Sequence, residues 1–123
     1  MSPHSAELQT LKAEFFRALA HPTRIRLLEV LVVTPERSVQ DLQRTLGIDQ
    51  PIVSQQLARL RASGIVTASK RGAATRYSVT DPQLKDLMAI AKAILNRRLV
   101  GVRSLLRELN RDAPGRARSR PPA

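Results

Sequence analysis

The chain has 123 residues, with 21 Lys+Arg against 10 Asp+Glu and a formal net charge of +11. It has no cysteine and only 2% aromatic residues, which excludes disulfides, thiolate metal ligands and a cysteine nucleophile and leaves a core of Leu, Ile, Val and Ala suited to helices. A chain this short forms one compact domain, and one this basic attracts polyanions, nucleic acid first and an anionic membrane surface second.

Apolar residues at Leu8, Leu11, Phe15, Ala18 and Leu19 recur at three-four spacing and predict a first helix from about Ser5 to Leu19. His21-Pro22 interrupts it, because the residue before a proline avoids helix while the proline suits the first turn of the next one. A second helix is expected from Pro22 to Thr34-Pro35, with Ile25, Leu28, Leu31 and Val32 inward. The third is short, from about Ser38, its N-cap, to Leu46, with Val39, Leu42 and Leu46 inward and Gly47 as a left-handed stop. Asp49 is expected to cap a fourth helix, with Pro51 in its first turn. That helix runs to about Ser63, anchored by Ile52 or Val53, Leu57 and Leu60, and Gly64 ends it.

The period then changes. Residues 65–69 and 75–79 are rich in β-branched side chains and flank a basic, glycine-containing loop, Lys70-Arg71-Gly72-Ala73-Ala74, which predicts a β-hairpin. Asp81-Pro82 opens a last helix carrying Leu84, Leu87, Met88, Ala91, Ile94, Leu95, Val102, Leu105, Leu106 and Leu109. At about 30 residues it is roughly 45 Å long, more than the ~30 Å across a small domain. Its apolar stripe therefore calls for a second copy of the chain.

The fold class that follows is mainly α with a small β-hairpin wing, a winged helix-turn-helix whose long last helix invites a partner. Residues 1–7 are read as a flexible N-terminus, 8–111 as the DNA-binding and dimerisation domain, and 112–123 as a disordered tail rich in Arg and Pro. No apolar run is long enough to span a bilayer, and Met1-Ser2-Pro3-His4 lacks a signal-peptide pattern, so no membrane partner and a cytoplasmic location are expected.

In a helix-turn-helix the second helix enters the major groove of double-stranded DNA and offers its N-terminal residues to base edges. Here those are Gln50, Pro51, Ser54 and Gln55, with Ala58 and Arg59 further along. Glutamine pairs bidentately with adenine, and serine donates or accepts with several bases. Lys70, Arg71 and Arg76 fall where a wing reaches phosphate or the minor groove. Tyr77 is read as a packed wing residue. Between Arg37 and Thr80, seven basic residues stand against two acidic ones, a local charge of +5.

Three runs carry a specific resemblance: Phe16 through Leu28, Leu46 through Leu57, and Leu60 through Val66 on to Arg71-Gly72 and Tyr77-Ser78-Val79. Together they make about residues 8 to 109 similar to ArsR-family regulators. The resemblance implies a winged helix-turn-helix homodimer held by the first and last helices, a repressor on a (pseudo)palindromic operator, and an effector that alters operator affinity. Many such relatives sense metals through a Cys-Val-Cys-Asp-Leu run on the third helix. The matching run here is Ser38-Val39-Gln40-Asp41-Leu42, with poor ligands at both thiolate positions. Others bind zinc through Asp and His on the last helix, which here holds Asp81, Asp86 and Glu108 but no histidine.

Of the two histidines, His21 suits a capping role. His4, with Glu7 one turn away, is the remaining candidate for a borderline ion such as nickel or zinc. No cofactor is otherwise implied, and the effector stays open. The alternative to a DNA-binding regulator is a protein-interaction module built on the long helix, with incidental DNA binding. An enzyme is disfavoured: there is no glycine-rich phosphate loop, no metal-ligand cluster and no histidine paired with an evident acid.

Overall fold

Prolines and glycines divide the helices as the sequence leads one to expect. The computed structural model describes residues 3–112. Its elements are α1 (Pro3–Leu19), α2 (Pro22–Leu31), α3 (Val39–Leu46), α4 (Gln50–Ala62), β1 (Val66–Arg71), β2 (Ala74–Val79) and α5 (Leu84–Asp112). Contacts divide the chain at 86/87, inside the single domain expected over 8–111.

The first unit is built around α4, which packs on α1, α2, α3 and β1. Leu27, Leu28, Leu31, Leu42, Val53, Leu57, Leu60 and Val66 are fully buried. Each such side chain stabilises the fold by about 1.5–3 kcal/mol through removal from water. Leu27 takes the inward place expected of Ile25, which is half-buried. Among the described side chains of α1, Ala18 and Leu19 are buried, while Leu8, Leu11, Phe15 and Phe16 stay exposed.

Local chemistry sets the helix ends. His21 is extended, and its Nδ1 accepts the Thr23 N–H at 3.1 Å, capping α2. Ser38 and Asp41 form a reciprocal capping box at the start of α3: the Ser38 hydroxyl accepts the Asp41 N–H and the Asp41 carboxylate accepts the Ser38 N–H, both at 3.1 Å. Gly47 closes α3 at φ 67°, where a Cβ is unfavourable. The Arg26 guanidinium donates to the Leu46 carbonyl at 2.9 Å.

Asp49 occupies the N-cap of α4 but makes no side-chain capping bond. Pro51 removes one of the donors such a cap satisfies, and the backbone carbonyl of Asp49 receives the N–H groups of Ile52 and Val53 instead. At the other end of the chain's first half, α1 begins at Pro3 and takes in residues 3–7, which the sequence reading set apart as a flexible N-terminus.

The hairpin is antiparallel, with Val66 opposite Val79 and Arg71 opposite Ala74. The strands reach further than expected, so Lys70 and Arg71 lie in β1 and the turn shrinks to Gly72-Ala73. Arg37 and Tyr77 exchange both backbone hydrogen bonds, at 3.1 and 2.8 Å, adding the α2–α3 loop to the hairpin's edge. Tyr77 is half-buried. The Asp81 carboxylate accepts the Gln83 N–H at 2.9 Å, and the helix begins at Leu84 rather than at Pro82.

The second unit is α5 from Leu87 onward. Ile90, Ile94, Leu95, Leu99, Val100, Val102, Leu105, Leu106 and Leu109 are between 46% and 63% exposed. No helix among the described residues is long and apolar enough to cross a membrane. The tail read as disordered, 112–123, lies outside the described residues beyond Asp112.

Candidate nucleic-acid interface

Helix α4 separates two chemistries by angle. Val53, Gln56, Leu57 and Leu60 face the core, and Gln50, Pro51, Ser54, Gln55, Ala58 and Arg59 are exposed. The buried residues fall at three-four spacing, so one side of the rod is fixed by packing and the other is free. The side chains of Gln50, Ser54 and Gln55 can therefore offer donors and acceptors to a partner without disturbing the core. Ile52, 42% exposed, sits at the margin.

Gln56 departs from the simple picture of surface glutamines. It is 8% exposed, and its Oε1 has no hydrogen-bond partner among the described residues. Its place was readable in the sequence, because position 56 lies on the same stripe as Val53, Leu57 and Leu60.

The basic residues of the wing differ among themselves. Lys70 is exposed. Arg71 is exposed and forms an ion pair with Glu36 at 2.6 Å. Arg76 is half-buried and turned back: its Nη1 donates to the Glu36 carbonyl at 3.1 Å and lies 3.5 Å from the Asp41 carboxylate. Arg59 is exposed near the C-terminal end of α4, beside a groove that also touches α1 and α2.

Glu36 is the residue the sequence did not bring into the site. It lies one position outside the basic stretch from Arg37 to Thr80, and its partners are about 40 residues away. Its backbone is left-handed, at φ 59°, a conformation costing a non-glycine residue about 1 kcal/mol or more. The Ser78 hydroxyl accepts its N–H at 3.0 Å, and Arg76 and Arg71 hold its carbonyl and carboxylate. Asp41 is similarly drawn in from α3. The Ser38 N–H, then the Ser38 hydroxyl, hold its carboxyl below the ordinary value of 3.8; burial opposes them, and Arg44 and then Arg76 add to the lowering.

No group of three or more His, Cys, Asp and Glu residues is placed to hold an ion among the described residues. The Ser38 hydroxyl and Asp41 carboxylate are engaged in the capping box, and Gln40 offers only a neutral amide. His4 and Glu7 both fall on α1, three residues apart. Glu7 is exposed, and the His4 side chain lies outside what the structure describes.

Known proteins share this arrangement. Residues 21–68 match the family described as bacterial regulatory protein, arsR family. The HTH-type transcriptional regulator Rv0081 of Mycobacterium tuberculosis is 43% identical over 106 residues, covering 85% of this chain and 92% of that protein. Its crystal structure superposes with a TM-score of 0.69 over 82% of this chain and 97% of that one. A mercury resistance operon repressor of Streptomyces lividans is 43% identical over 82 residues, 67% of this chain and 65% of that protein. The solution structure of the homodimeric winged helix-turn-helix DNA-binding domain of Mb0332 from Mycobacterium bovis is 25% identical, with a TM-score of 0.70 over 80% of this chain and 91% of that one. With its helix-turn-helix, its two-stranded wing and this degree of likeness, the chain is a member of the arsR family of bacterial regulatory proteins, a winged helix-turn-helix transcriptional regulator and not an enzyme.

Proposed function

We propose that the chain is a repressor that binds a (pseudo)palindromic operator in double-stranded DNA as a homodimer, with α4 in the major groove. The observation that carries this reading is the division of α4 into a buried stripe and an exposed polar face. Gln50, Pro51, Ser54 and Gln55 read base edges from its N-terminal half. Lys70 and Arg71 grip phosphate from the wing, Arg71 exchanging Glu36 for a DNA oxygen. Arg76 acts as a strut that holds the wing to α3, and Arg59 adds to the field from the edge. Pairing runs through α1 and α5, whose apolar side chains are exposed in a single chain. A two-fold pair sets the reading helices about 34–36 Å apart, one turn of DNA.

Binding to duplexes drawn from the surrounding genome tests the reading, with fluorescence anisotropy followed against salt. Gln50→Ala or Gln55→Ala should lower discrimination between operator and random duplex by about 1–3 kcal/mol, leaving nonspecific affinity in place. Equal loss on both duplexes removes these residues from the reading face. A monomer indifferent to every duplex favours the protein-interaction module instead.

The likeness to a mercury resistance repressor makes a metal effector the natural comparison, but the α3 residues here do not fit a soft ion. A nickel or zinc site in this chain rests on His4 and Glu7, one turn apart on α1 and completed from elsewhere in the dimer. Stoichiometric uptake of either ion that survives His4→Ala eliminates that site.

A further inference from the structure

We propose that a groove between α1, α2 and α4 binds a small free oxyanion, a carboxylate or phosphate, away from the N-terminal half of α4 that reads bases. The groove has a volume of about 440 Å³ and is lined by Glu14, Arg17 and Ala18 of α1, Arg24 of α2, and Arg59 and Ser63 at the end of α4. Three guanidinium groups against one carboxylate leave the groove with a net positive charge.

The cations are not consumed by the protein. Arg17 and Arg59 are exposed, and their guanidinium groups have no hydrogen-bond or ion-pair partner among the described residues. Glu14, although it lines the same groove, forms no ion pair with any of the three. Arg24 is oriented by one bond, from Nη1 to the Ala18 carbonyl at 2.8 Å. Its Nε is buried and has no acceptor.

A buried N–H without a partner is costly and calls for a water or an ion. Guanidinium groups supply paired donors matched to the two oxygens of a carboxylate or phosphate. Glu14 adds an acceptor, so the ligand that fits carries a donor of its own, as a hydroxy or amino acid or hydrogen phosphate does. The reading residues Gln50, Pro51, Ser54 and Gln55 occupy the other half of α4. An anion here would join α1 and α2 to the far end of the reading helix.

The test uses the full-length protein and inorganic phosphate, at ionic strength held constant with chloride. Nuclear magnetic resonance should show saturable shifts at the Arg24 Nε–H and the Ser63 amide. The Arg17→Gln variant, altered only at an exposed guanidinium with no partner among the described residues, should bind phosphate about tenfold more weakly while its remaining spectrum is unchanged. Shifts that drift linearly, or that saturate equally in the variant, overturn the proposal. In a second arm, the variant's binding to duplex DNA should keep the wild-type salt dependence. A slope reduced by about 0.9, the value for one lost phosphate contact, gives the groove to the DNA backbone and also overturns the proposal. Neither arm depends on which residues read bases.

Discussion

Helices α4 and α5 both carry an apolar stripe, and they finish it differently. On α4 the stripe is Val53, Leu57 and Leu60, and each is fully buried. On α5, from Ile90 to Leu109, every large apolar side chain is about half exposed. The first helix needs nothing beyond its own chain and can spend its other face on polar recognition. The second leaves its stripe open, as the proposed pairing of two chains requires. A chain can thus hold its reading element rigidly as a monomer while the spacing of two such elements still depends on association.

The largest effect should come from breaking the unfinished stripe. Leu95→Glu together with Leu106→Glu should halve the mass seen by light scattering and weaken operator binding by about 10²–10⁴-fold, since the two half-sites are no longer linked. The circular dichroism of the first unit should persist. A variant that stays dimeric, or one that unfolds outright, breaks the comparison. Next in size is the finished stripe: Leu57→Ala should cost about 2–5 kcal/mol in urea unfolding through the cavity it leaves, with no change in the dimer's mass under native conditions.

The smallest effect falls within the first unit alone. The Asp41 carboxyl is held below 3.8 by the Ser38 N–H and hydroxyl, then by Arg44 and Arg76. A depressed carboxyl contributes stability that is present above its unfolded value and is lost as pH falls through its folded value. The difference in urea midpoint between wild type and Asp41→Asn should therefore be open at pH 7 and close below pH 3.8. A gap that stays constant with pH assigns the Asp41 contribution to hydrogen bonding without charge.

Much of this was legible because it is local. His21 before Pro22, Ser38 three residues before Asp41, and Gly47 after Leu46 are short-range signals, and each does what its chemistry suggests. The stripe of α4 was equally plain, and it would have placed Gln56 inside had the period been followed past its polarity. What could not be read was long-range. Nothing near Arg76 indicates that it turns toward Asp41, 35 residues earlier, and nothing near Glu36 shows a loop folded against β2. Nor does the sequence of α1 reveal that Leu8, Leu11 and Phe15 remain uncovered within one chain, because periodicity reports that a face is apolar and not what meets it.

The left-handed Glu36 has a consequence for anyone recombining members of this family. Its backbone and side chain are clasped by Arg71, Arg76 and Ser78, all from the hairpin. Hairpin and α2–α3 loop are therefore a single cassette, although they are far apart along the gene. A chimaera that exchanges residues 66–79 without position 36 inherits a mismatched hinge, and swaps meant to retune groove contacts should move both pieces together.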